Sequence, residues 1–212
     1  MVTLISEDFV ILFSGKFIKS YNRFFNKKLA KLNSIKDLQK IKGTTRRIKK
    51  LYYDREQYIE DVFHKISRKI VDLLVDFKIT KLVVGYNKGW KQNVNIGKKN
   101  NQKFVQIPFA RLVSYLEYKC ELAGIEIVIH EESYTSKCDS LAFEKIGRHE
   151  SYLGRRKKRG LFQSSVGKLI NADVNGALNI MRKVVGDSCE SIQRIIDRGL
   201  LFNPVRITNV FC

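Results

Sequence analysis

The feature that most constrains this chain is an apolar stripe that recurs at three- and four-residue steps from Ile48 to Phe77. Ile48, Leu51, Tyr52, Ile59, Val62, Phe63, Ile66, Ile70, Leu73, Leu74 and Phe77 share one face of a helix about eight turns long. Such a face must be buried against something. The preceding stretch offers a partner: Phe24, Phe25, Leu29, Leu32, Ile35 and Leu38 recur at the same steps. Between the two stripes, Gly43 is suited to end one helix and a threonine, Thr44 or Thr45, to cap the next. The expectation is an antiparallel helical hairpin over about residues 18–77.

Strand patterns flank the hairpin. Residues 2–6 and 9–14 are rich in β-branched and aromatic side chains around the acidic pair Glu7 and Asp8, which reads as a β-hairpin with two solvated turn residues. Lys81–Gly85 is a short apolar strand of the kind found in the middle of a sheet. A polar loop (residues 86–102) follows, then a helix from about Pro108 to Leu122 that ends at Gly124 and presents Leu112, Leu116 and Cys120. Ile125–Ile129 is the next strand, so the unit is βαβ and its strands are parallel. Residues 161–165 read as a short strand, 173–184 as the last clear helix, and 188–212 as a tail with some helical character. The order gives one α/β domain, a mixed sheet flanked by helices with a helical projection.

Charge narrows the partners. Forty Lys and Arg against 21 Asp and Glu leave a net charge of +19, which points to a polyanion: nucleic acid first, an acidic membrane surface second. Lys27, Lys28, Lys31, Lys36, Lys40, Lys42, Arg46, Arg47, Lys49 and Lys50 cover the outer faces of the helical hairpin. Phosphate contact and plain solubility both account for them. Cys120, Cys138, Cys189 and Cys212 form no C-x-x-C pair, which favours free thiols in a reducing compartment. No apolar run is long enough to cross a bilayer, and Met1–Lys16 lacks the basic start of a signal peptide. A soluble intracellular protein is expected.

Two clusters carry chemistry. His130, Glu131 and Glu132 follow the strand 125–129, at the carboxyl end where α/β sheets place ligands. Adjacent carboxylates repel, and Mg²⁺ is a natural way to keep both ionised; a plain polar surface loop is the other reading. The second cluster is Asn171, Asp173, Asn175, Gly176 and Asn179. Asp173 at a helix start reads first as a cap. Asn175, Gly176 and Asn179 are poor helix formers, so backbone or ligand approaches closely there. Gly176 and Ala177 also suit tight helix–sheet packing. His64 reads as structural. His130 and His149 read as ordinary polar residues or metal ligands. Trp90 and Tyr134 suit either stacking or packing.

The second cluster lies within residues 170–180 (INADVNGALNI), which resemble the third RuvC motif of the TnpB family. These are transposon-encoded proteins of bacteria and archaea, related to the type V CRISPR effector nucleases. Residues 27–32 (KKLAKL), 84–92 (VGYNKGWKQ), 131–137 (EESYTSK) and 158–162 (KRGLF) agree in the same order, from about Val2 to at least Val184. The resemblance implies an RNase H-like (RuvC-like) domain over residues 1–186 that lacks its first strand, with the helical hairpin at about 18–77 inserted. It also implies a variable basic insert at about 133–160 and a C-terminal tail at 187–212.

Its implied activity is RNA-guided, Mg²⁺-dependent cleavage of DNA. The implied partners are DNA and guide RNA, with no membrane, in the nucleoid-associated cytoplasm of a bacterium or archaeon. Asp173 matches the family's metal-binding Asp on the last helix. The middle Glu often lies in the strand matching Leu82–Tyr86, which carries no acid here, so Glu131 and Glu132 are the substitutes and Glu132 is preferred. The implied catalytic set is Glu132, Glu131 and Asp173, with Glu132 and Asp173 as metal ligands. Lys91, Arg155, Arg156, Lys157, Lys158 and Arg159 are the implied nucleic-acid contacts.

The family's four-Cys zinc ribbon is reduced to Cys138, so no zinc is expected. The first metal-binding Asp of the family belongs to an Asp-x-Gly motif that would precede Met1. The expectation is therefore a chain truncated at its N-terminus, with little or no cleavage on its own. The alternative is a non-cleaving RNA- or DNA-binding protein, either a regulator or a decayed transposon remnant.

Overall fold

The structure, a computed structural model, describes residues 2–87 and 107–208. In chain order the elements are β1 (Val2–Ile5), β2 (Val10–Phe13), α1 (Lys16–Leu38), α2 (Arg46–Asp76) and β3 (Lys81–Gly85). Then come α3 (Phe109–Leu122), β4 (Glu126–His130), β5 (Arg155–Lys158), β6 (Leu161–Gln163) and β7 (Leu169–Asn171). The last are α4 (Ala172–Val185), α5 (Glu190–Asp197) and β8 (Val205–Ile207).

The helical hairpin forms as its two stripes require. Tyr21 stacks on Tyr58, Phe25 meets Tyr52 edge to face, and Arg55 donates to Asn22 at 3.0 Å. Those pairs run in opposite directions along the two helices, so the packing is antiparallel. Thr45 caps α2 by accepting from the Ile48 amide at 3.3 Å. The first helix ends earlier than expected. Lys40 takes the left-handed conformation at φ 53°, and Gly43 lies beyond it in the connecting turn. Burial also fades toward the tip. Ile59, Val62 and Phe63 are fully buried, whereas Leu38 is 82% exposed. Phe24, Ile35 and Tyr52 are also exposed. The periodic stripe outruns the sheet, which covers only its root.

That root is the first core. β1 and β2 pair antiparallel, and Leu4, Ile11 and Phe13 pack against α2. β3 and β4 pair parallel through α3, with Leu82 opposite Ile127, as the βαβ pattern requires. β4 starts one residue later than the sequence suggests, because the Ile125 amide closes the end of α3 on Cys120. Leu82, Leu112, Leu116 and Cys120 join the same core. The sequence places β3 in mid-sheet; among the described residues it pairs with β4 alone.

A second core lies on the other side of β2. Val10 and Leu12 meet Val174 and Leu178 of α4, together with Ile192, Ile195 and Leu201. Residues 190–207, expected as a tail, thus carry a helix and a strand. β8 pairs parallel with β2, with Leu12 opposite Arg206. Nor are Glu7 and Asp8 merely solvated. Glu7 accepts from the Ser191 hydroxyl and pairs with Arg194 at 3.2 Å. Arg198 donates to the Glu7 carbonyl at 2.8 Å and pairs with Asp8 at 3.2 Å. The β-hairpin turn is the dock for α5. The hydrogen bond from Ser191, with the neighbouring Arg194 and Arg198, draws the Glu7 carboxyl below its ordinary range.

Candidate nuclease site on helix α4

The cap of α4 is not Asp173. Asn171 has the extended backbone of an N-cap, and its side chain accepts from the amides of Asp173 at 2.8 Å and Val174 at 3.4 Å. Asp173 sits in the first turn, exposed and relieved of capping. The poor helix formers that follow have a packing reason. Asn175 and Asn179 are both fully buried. Asn175 accepts from the Ser140 amide and hydroxyl and donates to the Cys138 carbonyl at 2.9 Å. Asn179 donates to the carbonyls of Thr135 at 2.9 Å and Cys138 at 2.8 Å. A Cβ on Gly176 would stand 3.9 Å from the Ser136 backbone. These residues lash the 132–140 turn along the helix. The sequence reading left backbone and ligand as alternatives, and backbone fills the space.

The lashing places Glu132. Its amide donates to Asn87 at 2.8 Å, and Thr135 returns a hydroxyl bond to its carbonyl at 2.8 Å. Lys183 anchors the turn from below through the carbonyls of Glu131 and Ser133, both at 3.0 Å. Gly85 closes the contact. A Cβ there would collide with the Ile180 side chain and stand 3.3 Å from the Glu132 Cβ. Glu132 therefore lies at the shared ends of β3 and β4, beside Ile180. Asp173 precedes Ile180 by seven residues on the same helical face, about 10 Å along the axis. Burial pushes the Glu132 carboxyl above its ordinary range, and Lys183 partly offsets that. Glu131 points to solvent and accepts from Ser133 at 2.5 Å.

The basic run is ordered. Arg155, Arg156, Lys157 and Lys158 form β5, an outer strand with every side chain exposed, and Arg159 follows in the turn. β6 pairs with both β5 and β7, and β7 leads straight into α4. The Gly160 carbonyl accepts from the Ala172 amide at 3.2 Å. The basic turn thus abuts the residue before Asp173. Lys91 and Trp90 lie outside the described residues. His64 stacks on Tyr115 at 4.2 Å, which is a packing role. His130 and His149 bond to the Glu131 and Lys145 carbonyls.

Sequence reasoning missed the polar knot beneath this hairpin. Asp139 is fully buried, and one carboxyl oxygen accepts from Ser164 Oγ at 2.8 Å and from the Ser165 amide and hydroxyl at 2.6 and 3.0 Å. Glu144 accepts from the Asp139 amide at 2.6 Å and the Leu153 amide at 3.0 Å. Buried Arg182 bonds Asn179, the Glu144 carbonyl and Asp187. The Cys138 thiol faces the carbonyls of Lys145 and Gly147, and burial raises its pKa. No pattern of period two or 3.6 marks these residues. A buried Asp–Ser–Ser set has no local signature.

Among the described residues, no three His, Cys, Asp or Glu side chains converge as a metal-holding group. A pair of divalent ions needs more carboxylates than Glu132 and Asp173. The described residues alone therefore do not fit such a site. Nor is any helix among them long and apolar enough to cross a membrane.

Small mixed sheets, a long helical hairpin and a parallel βαβ unit fit a RuvC-like fold. The comparisons agree. The OrfB_IS605 family, a probable transposase, matches residues 1–91, and the Cas12f1-like TNB domain matches residues 109–180. The chain is 29% identical over 171 residues to the CRISPR-associated endodeoxyribonuclease Cas12f2 of Micrarchaeota archaeon (strain CG1_02_47_40), covering 76% of this chain and 30% of that protein. It is 21% identical over 192 residues to the TnpB-like protein ORF457 of Acidianus two-tailed virus, covering 86% of this chain and 39% of that one. A cryo-EM structure of a Cas12f1–sgRNA–target DNA complex superposes with a TM-score of 0.52 at 23% identity, over 74% of this chain and 40% of the other. That likeness concerns the fold. The chain is thus similar to TnpB-like and Cas12f proteins, and it spans 30–40% of the length of these relatives.

Proposed function

We propose that this chain is the nuclease-domain portion of an RNA-guided DNA endonuclease, with an RNase H-like fold. It binds nucleic acid by itself and does not cleave it alone. One observation carries the reading: the basic β5–β6 turn packs on the residue before Asp173, and two turns further on Ile180 of the same helix shares the contact with Gly85 that Glu132 makes. A phosphate backbone drawn to Arg155–Arg159 would be brought to those carboxylates. Mg²⁺ would supply Lewis-acid stabilisation there once other carboxylates join, and Glu132 and Asp173 alone would hold it weakly. The insert folds without zinc, a reading supported by the protonated Cys138 thiol and the Asp139–Ser164–Ser165 knot.

Titrating the chain with RNA and with DNA across a salt series tests binding. Replacing Arg155, Arg156, Lys157, Lys158 and Arg159 by Gln should weaken affinity by about tenfold or more and flatten the salt slope by about three to five. Unchanged affinity and slope would sink the reading. Cleavage in Mg²⁺ that Asp173→Ala abolishes would instead show a complete site and overturn the lack of cleavage.

A further inference from the structure

Exposed aliphatic side chains ordinarily stand singly on a protein surface, and the tip of the helical hairpin gathers three. Ile35 is 40% exposed, Leu38 82% and Ile41 42%. The turn that carries them is closed by hydrogen bonds. The Lys40 amide donates to the Asp37 carbonyl and the Ile41 amide to the Lys36 carbonyl, both at 3.1 Å. With Lys40 in the left-handed conformation, this is the Schellman way of ending a helix, which ordinarily sets the second residue past the cap against the last turn. Thr45 then caps α2. Leu38 and Ile41 are therefore displayed on a built point, not on a frayed end.

Around that point the charge is almost all of one sign. Residues 31–50 carry eight Lys and Arg against Asp37 alone. Lys36 pairs with Asp37 at 3.7 Å and Lys50 with Asp54 at 3.1 Å. Lys31, Lys40, Lys42, Arg46, Arg47 and Lys49 are exposed and, among the described residues, pair with no carboxylate. Arg46 and Arg47 open α2, whose first turn holds no acid, at the end where the helix dipole favours an anion. Like charge keeps a second copy of the tip away. A membrane-surface helix needs a continuous apolar face, and here the stripe turns inward below the tip into the pairs Phe25–Tyr52 and Tyr21–Tyr58. An aliphatic point ringed by cations matches a nucleic-acid duplex: cations hold the phosphates and the apolar side chains enter between base pairs.

We infer that the tip of the α1–α2 hairpin is a wedge for duplex nucleic acid, with Leu38 and Ile41 entering a base step and the surrounding cations holding the flanking phosphates. The wedge unstacks and kinks the duplex where it enters. Aliphatic side chains form no hydrogen bonds with bases, so the preference is for steps that unstack cheaply, TA before others. The inference rests on the nucleic-acid reading of this chain and not on cleavage, since the carboxylates near α4 take no part in it.

The probe is a DNA duplex of about 30 base pairs with a fluorescent adenine analogue, bright when unstacked, at its TA steps. It is titrated with the full chain at low salt and without metal. Fluorescence should rise by about twofold or more at saturation. Leu38→Ser with Ile41→Ser should remove most of that rise and keep affinity within about fivefold, because the cations remain. Leu38→Phe, a bulkier wedge, should keep the rise. Gln at Lys40, Lys42, Arg46 and Arg47 should weaken binding by about tenfold or more and flatten the salt slope by about three. Gln at Arg155–Arg159 should leave the rise at saturation intact, which separates the tip from β5. A parent chain that binds no duplex removes the nucleic-acid reading and the wedge together. Saturation without a rise, or a rise that survives the double Ser change, overturns the wedge alone. Tip-dependent binding to phosphatidylglycerol vesicles with no duplex signal assigns the tip to a membrane surface and equally overturns it.

Discussion

Two of the small sheets that meet helix α4 are held to it by opposite means. The β5–β7 sheet and its insert are tied by short polar side chains: Asp139 to Ser164 and Ser165, Asn175 and Asn179 to the 135–140 turn, and Arg182 to Asp187. Those buried groups find partners; among the described residues the only buried side-chain polar atom without one is Asn22 Nδ2. The β3–β4 sheet is held by apolar contact and by the close approach of Gly85 to Ile180, and among the described residues its two strands pair only with each other. Polar closure uses up the backbone's hydrogen-bonding groups. Apolar contact positions a strand and leaves those groups available to a partner.

The largest effect should come from opening the closed region. Asp139→Ala strips acceptors from Ser164, Ser165, Leu141 and Ala142 together, and should cost about 3 kcal/mol or more. Urea unfolding with hydrogen exchange at β5–β7 measures it, and a loss under about 1 kcal/mol would break the contrast. Asn179→Ala comes next at about 2 kcal/mol, since the Thr135 carbonyl and the Arg182 guanidinium both lose a partner. Its signature is faster exchange through residues 132–140.

Gly85→Ala probes the apolar contact. The new methyl must push aside Ile180 and Glu132, at about 1–2 kcal/mol. A cost above that of Asp139→Ala would reverse the ranking of the two regions.

Glu132→Gln sharpens the comparison through pH. Burial raises the Glu132 pKa in the folded chain above its unfolded value of 4.5. The folded state thus holds this proton more tightly, and stability is lost as pH rises through the window above 4.5. Gln abolishes that loss, so the variant should melt slightly higher than the parent at neutral pH and alike below pH 4.5. A lower melting point at neutral pH would contradict the desolvated carboxyl. Smallest is Glu7→Gln, which weakens the dock for α5. Exposed pairs of this kind contribute under about 1 kcal/mol, and the loss should fade as pH falls through the lowered Glu7 pKa. Thermal melts across pH measure both.

Legibility in the sequence followed the range of the interactions. Thr45 as a cap, the two helical stripes and the parallel pairing of residues 81–85 with 126–130 all rest on contacts or periodicities within short windows. The exposed tip at Leu38 shows where periodicity overstates burial: a stripe records which face is apolar, not how far its partner extends. Capping by Asn171 rather than Asp173 was two residues from the reading, and that shift decides which side chain faces solvent. The Asp139 knot was invisible, because its partners are 25 and 26 residues away and serines carry no pattern.

By itself, the sequence determined the helical hairpin, the βαβ unit, the strong positive charge and the family motif at residues 170–180, because each is written in local spacing or in composition. Only the tertiary structure decided that the motif's asparagines bind backbone, that the basic turn lies against the residue before Asp173, and that the β-hairpin turn docks the helix at residues 190–197. Those outcomes depend on which distant groups meet when the apolar faces are buried, and nothing local in the chain encodes that meeting.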